Sequence, residues 1–107
     1  RKERRKMYQL RIYTLASKEA AEIYSTFHWK KHVESLKKYG IITHHVFTDA
    51  TDSDQPRVYA LVSYDGKDIE SQDKKYMESV EFKEDMKGFD FRNILKVESI
   101  KMTEVKM

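Results

Sequence analysis

The chain contains no cysteine, one proline and three glycines in 107 residues. Without thiols there are no disulfides, no thiolate metal sites and no cysteine nucleophile. Three glycines cannot furnish a phosphate-cradling loop. A nucleophile elbow and a convincing pair of site carboxylates are also missing, which excludes serine-hydrolase and kinase chemistry. No apolar run approaches the roughly 20 residues that span a bilayer, and no signal-peptide core is visible.

What is present describes a surface-rich globule of 36% charged and 39% hydrophobic residues. The length suits one domain with its own core. The net charge of +3 owes much to the opening "RKERRK", which carries five basic residues and Glu3, or +4. Residues 1–6 are therefore read as a solvated basic arm, with a nucleic-acid or anionic-membrane tether as the sharper alternative. Residues 7–107 are expected to form the single domain.

Alternation and β-forming residues predict strands at "MYQLRIYTL" (7–15), "IITHHVFT" (41–48), "RVYALVSY" (57–64) and "RNILKVESIKMTEV" (92–105). A helix of about 22 residues follows Ser17, an N-cap candidate, and closes on Gly40. A second helical region covers 67–88, breaks near Ser79 and closes on Gly88. The order β-α-β-β-α-β has an internal echo: Tyr8-x-Leu10-x-x-Tyr13 returns as Tyr59-x-Leu61-x-x-Tyr64. This pattern predicts an α+β, ferredoxin-like antiparallel sheet.

Such a sheet carries helices on one face. Period-two alternation separates Tyr8, Leu10 and Ile12 from Gln9, Arg11 and Tyr13. The more apolar set is expected beneath the helices, together with Tyr59 and Leu61. Gln9, Arg11 and Tyr13 would then share the open face with Val58, Ala60, Val62 and Tyr64. That mixture is too apolar for water and too polar for a plain core, and suits a homodimeric barrel with an internal pocket.

All four histidines lie between residues 28 and 45. His28 and His32 share a helix face at i, i+4, but Trp29-Lys30-Lys31 stand between them with no glutamate base, and two lysines repel a cation. No metal site is expected. Helix rise and strand rise place His32 level with His44. Because His44 and His45 are adjacent, only one of them is expected to face the pocket. Candidate catalytic groups are His44, His45 and Tyr13, and candidate ligand-binding groups are Gln9, Arg11, Trp29, His32 and Tyr64. Phe27 and Trp29 read as packing anchors, and Arg11 needs a carboxylate or an anionic ligand, with Glu98 as one possible partner. "RVYALVSY" also fits five of seven constrained positions of the ribonucleoprotein octapeptide. Val58 replaces its glycine and Leu61 a stacking aromatic, and Tyr59 is expected to point away from any base.

"MYQLRIYTL", "HWKKHVESLKKYGIITHHVFT" and "YMESVEFKEDMKGFD" together resemble a NIPSNAP-family domain of the dimeric α+β barrel superfamily, over about Met7 to Thr103. Arg11 and Tyr13 match the family's strand-one pattern, and Trp29 with Gly40–Ile41 its helix-to-strand pattern. Lys30 stands where many relatives have proline. The resemblance implies a homodimer whose sheets face each other around a cavity. It implies a binding or adaptor module of undefined biochemical activity, whose ligand is small and anionic or apolar and which needs no cofactor. Alternatively it implies a cofactor-independent monooxygenase or isomerase, since the wider superfamily includes such enzymes and haem-handling proteins. RNA binding through the open sheet is the third reading, although no nucleic-acid partner and no membrane span are expected. Location follows as cytoplasmic or, in a eukaryote, mitochondrial.

Overall fold

The computed structural model describes residues 7–52, 54–64, 68–105 and 107, so the basic arm at 1–6 lies outside the described residues. The elements are β1 (Met7–Leu15), α1 (Lys18–Ile23), a π-helical segment (Tyr24–His28), α2 (Trp29–Lys37), β2 (Ile41–Thr48), β3 (Arg57–Tyr64), α3 (Ile69–Met77), α4 (Val80–Asp85), a 3-10 turn (Phe91–Asn93) and β4 (Ile94–Thr103). All strand pairs are antiparallel in the order β2-β3-β1-β4. This is the predicted ferredoxin-like α+β arrangement. Only β4 differs in extent among the strands, because Phe91–Asn93 are taken by the 3-10 turn.

Local chemistry sets the helix ends. Ser17, Asp68 and Ser79 each accept a backbone N–H of the first turn that follows, from Ala20, Ser71 and Phe82. Ser79 thereby separates α3 from α4, where the sequence placed the break. Gly40 and Gly88 adopt φ of 77° and 86°, the left-handed conformation that ends a helix and that side chains with a Cβ resist.

The first helix departs from expectation at its centre. The hydroxyls of Ser25 and Thr26 both donate to the Glu22 carbonyl, and the backbone between Tyr24 and His28 widens into a π turn. The extra residue rotates everything beyond it. Burial passes from Ala20, Ala21 and Tyr24 to His28, Trp29, His32 and Leu36. Phe27, expected as an anchor, is 52% exposed instead, with the Lys31 ammonium 4.1 Å from its ring centre. Trp29 is buried as expected.

The two faces of the sheet are the reverse of those expected. Val58, Ala60 and Val62 are wholly buried beneath the helices. The register pairs Tyr13 with Val58, Arg11 with Ala60 and Gln9 with Val62, so the polar set of β1 shares that face. Tyr8, Leu10, Ile12, Tyr59 and Leu61 lie on the open side. The small side chains of β3 let the helices pack closely, and the longer polar groups of β1 find partners there (below). Grouping by alternation was sound, whereas the choice of side was inverted.

β2 adds a second correction. Its register slips between Thr43, opposite Val62, and His45, opposite Leu61, leaving His44 as the extra residue of a bulge. A bulge lets neighbouring side chains share a side. The His44 Nε2 lies 2.7 Å from the Ser63 hydroxyl and its ring 5.4 Å from that of Tyr8. His45 stacks on Phe47 at 5.6 Å. Both histidines therefore occupy the open face, and neither is level with His32 across a shared pocket.

Candidate functional site

Between the helices and the β1–β4 half of the sheet lies a cavity of about 380 Å³. Its floor is Gln9, Arg11 and Tyr13 of β1 with Val97 and Ser99 of β4, and its roof comes from Trp29, His32, Asp73, Tyr76 and Phe82. Helices do not cover this half of the sheet fully. Met77, Phe91 and Val97 are all more than half exposed at its margin, so the cavity has an apolar mouth. Its size falls in the range that holds a small organic ligand.

Arg11 is the charged group of the floor. Its Nε donates to the Gln9 Oε1 at 2.7 Å, and its Nη2 lies 3.1 Å from an Asp73 carboxylate oxygen on α3. Asp73, rather than Glu98, is thus its partner. Glu98 pairs with Lys96 at 3.6 Å, across the strand from Ile12. Burial alone would lower the Arg11 pKa, but Tyr13 and Asp73 beside it outweigh that effect and raise it. The guanidinium is permanently charged. The Nη2–Asp73 contact is an ion pair whose angle falls short of a well-formed hydrogen bond. Burial also pushes the Tyr13 and Tyr24 hydroxyls up, so both stay neutral at physiological pH.

The roof contains a second polar group. Tyr76 of α3 donates its hydroxyl hydrogen to the Asp85 Oδ2 at 2.6 Å, and the Tyr76 hydroxyl oxygen itself lies 2.5 Å from the His32 Nδ1. His28, one turn before His32, places its Nδ1 2.8 Å from the Asp85 backbone carbonyl and so donates to it. Aromatic rings surround His32: Phe82 stacks on it at 6.1 Å and Trp29 meets it edge-on at 5.0 Å. Removal from water lowers the His32 pKa to about 4 even though Asp85 opposes the shift. Burial first, and Asp85 second, hold the Tyr76 hydroxyl well above the usual phenol range. A neutral imidazole in an aromatic box can accept or relay a proton, and a neighbouring cation can stabilise an anion formed there.

Of the residues singled out from sequence, the cavity brings together Gln9, Arg11, Tyr13, Trp29 and His32. It does not include Tyr64, which is buried under the helices opposite Ile41, nor His44 and His45, which lie on the other face. Tyr76, Asp73 and Asp85 were not anticipated. They come from two short helices separated by a cap, and no sequence spacing announces that Tyr76 and Asp85 will meet. No cluster of three or more metal-ligating side chains occurs among the described residues.

No protein-family model matches the sequence, and no curated protein matches it. Similarity appears at the level of solved structures. A NIPSNAP family protein of unknown function from Agrobacterium tumefaciens is 14% identical, with a TM-score of 0.69 over 95% of this chain and 90% of that one. A dimeric ferredoxin-like protein from an uncultured marine organism is 14% identical, with a TM-score of 0.68 over 97% and 99%. A putative antibiotic biosynthesis monooxygenase from Nitrosomonas europaea is 11% identical, with a TM-score of 0.64 over 98% and 96%. The chain therefore has the ferredoxin-like α+β fold seen in NIPSNAP family and dimeric ferredoxin-like proteins.

Proposed function

We propose that the chain is a NIPSNAP-like homodimeric protein that binds a small, largely apolar ligand between its helices and its sheet. The observation that carries this reading is the cavity itself, which gathers Arg11, Trp29 and His32 behind a mouth of apolar side chains. The open face supports the dimer. It presents Leu10, Ile12 and Leu61 with the half-exposed Ile42, Phe47 and Ile100, and dimeric proteins share the fold. Among the described residues, Arg57 on this face pairs with Asp49 and Lys96 with Glu98. Although Tyr59 does face outward with Tyr8 and Phe47, contrary to the sequence expectation, paired cations on a mostly apolar surface suit a second copy of the chain better than a phosphate backbone.

A cofactor-independent oxygenase or isomerase is the second reading. It is favoured by a neutral His32 in the same cavity as Arg11, and by the monooxygenase-like neighbour. In this reading His32 takes a proton from the ligand and Arg11 steadies the resulting anion.

Trp29 is the only tryptophan and lines the cavity, so its fluorescence reports occupancy directly. Titration with small aromatic compounds is expected to quench or shift that emission saturably, and Val97→Phe at the mouth is expected to abolish the response. Saturable binding that Val97→Phe leaves intact would place the ligand elsewhere and sink the proposal. Sedimentation should give a dimer, and Leu61→Glu a monomer.

A further inference from the structure

The hydrogen bonds in the cavity roof leave little freedom in where protons sit. A tyrosine hydroxyl has one proton, and that of Tyr76 goes to Asp85. The same oxygen, 2.5 Å from the His32 Nδ1, must then be the acceptor of that contact. Nδ1 therefore carries the ring proton, and the Asp85 Oδ2, 3.4 Å away, reinforces the choice. The Nε2 is left as a lone-pair acceptor. It makes no hydrogen bond to any described residue, on a ring that lines the cavity.

The charges around it are also unbalanced in one direction. The Arg11 guanidinium is paired with Asp73, and the Asp85 carboxylate behind His32 has no lysine or arginine partner among the described residues. An anion entering this space would meet a guanidinium whose charge Asp73 already balances, with Glu98 also in the lining and Asp85 behind His32.

We infer that His32 Nε2 is the specificity-determining acceptor of the cavity, held in that tautomer by the positioning residues Tyr76 and Asp85, and that the ligand is a neutral hydroxyl or N–H donor rather than an anion. This rests on the cavity reading above and sharpens it. Asp85 and Tyr76 make a tight triangle with the His32 Nδ1, the Tyr76 hydroxyl touching both and the Asp85 Oδ2 3.4 Å from Nδ1, which leaves Nε2 as the ring's remaining polar atom. A hydroxyl or N–H of the ligand would donate one hydrogen bond to Nε2, with no proton transferred and no charge created. Were the ligand to lose the proton altogether, Nε2 would receive it. The imidazolium would then be stabilised by Asp85 through Tyr76, and the ligand anion would face Arg11.

Three probes of nearly equal shape separate the alternatives: 4-cyanophenol as a neutral donor, 4-methoxybenzonitrile as its methyl ether, and 4-cyanobenzoate as an anion. At about pH 6 the phenol is un-ionised, and Trp29 emission reads each titration. The phenol is expected to bind about 10-fold or more tighter than the ether, the value of one good hydrogen bond. The benzoate is expected to bind weakest, and His32→Phe should erase the preference for the phenol. Independently of any ligand, ¹⁵N-histidine NMR of the unmutated protein should show His32 protonated on Nδ1. In Asp85→Asn that resonance should move toward a mixture of tautomers. A purely structural role for Asp85 would not shift it. An Nε2-protonated His32, or probes that bind without preference or with the benzoate favoured, overturns the inference and leaves the cavity reading standing. Failure of all three probes to bind overturns both.

Discussion

Lowering the pH should destabilise this protein through His32 well before its carboxylates titrate. The native state holds this imidazole neutral, with a pKa of about 4 against the ordinary 6.5. The folded value is depressed, so between these two pH values the unfolded chain binds a proton that the native state refuses. Stability then rises with pH across the window and is lost as the pH falls from 6.5 towards 4. Below 4 both states are protonated and the loss is complete. The difference of about 2.5 units corresponds to roughly 3 kcal/mol in all, most of it already lost at about pH 4.5. That is a large share of the stability of a small domain. Urea unfolding followed by Trp29 emission, from about pH 7.5 to about pH 4.5 and at one protein concentration, measures the loss. His32→Gln is the reference, since its amide can still hydrogen-bond Tyr76 but cannot titrate. Every other ionisable group is common to both proteins and cancels in the comparison. The unmutated protein should lose more stability than the variant by roughly 2–3 kcal/mol over that range. Parallel curves for the two proteins would refute the argument, because they would mean that native His32 takes up its proton as freely as unfolded His32 does.

Other perturbations test the packing around the site. Arg11→Leu strands the part-exposed Asp73 carboxylate and should cost about 2–3 kcal/mol in chemical denaturation, a loss partly recovered by adding Asp73→Leu. Leu36→Ala empties a wholly buried position between helix and sheet and should cost about 2–5 kcal/mol by the same measurement. Gly88→Ala meets no atom within 4 Å of the new Cβ, so its cost of about 1 kcal/mol should come from φ alone, and Gly88→Asn should cost less in thermal unfolding. Phe27→Ser should change stability by about 0.5 kcal/mol or less, as expected of an outward-facing ring beyond the π turn.

Much of the fold was legible because it rests on local chemistry. Period-two runs gave β1, β2 and β3, and the helix ends followed from Ser17, Ser79, Gly40 and Gly88, whose side chains or lack of one act within a few residues. Of the candidate site, Gln9, Arg11, Tyr13, Trp29 and His32 were readable as residues that needed partners. Their partners were not readable, since Asp73, Tyr76 and Asp85 approach from helices more than forty residues away from His32 or Arg11.

Three features escaped for physical reasons. The π turn depends on two hydroxyls capturing one carbonyl, and it left Phe27 outside while burying His28 beside the expected Trp29. The bulge at His44 broke the alternation that should have divided the two histidines. The choice of inner face rested on the packing of Val58, Ala60 and Val62 against the helices, which outweighed the apolar character of Tyr8, Leu10 and Ile12. The amino-acid sequence by itself determined the elements, their order and which residues travel together on a face, because those depend on chain geometry and near neighbours. Tertiary structure alone decided which face turned inward and which acids met Arg11 and His32, because those depend on how much buried surface and how many satisfied charges each alternative packing provides.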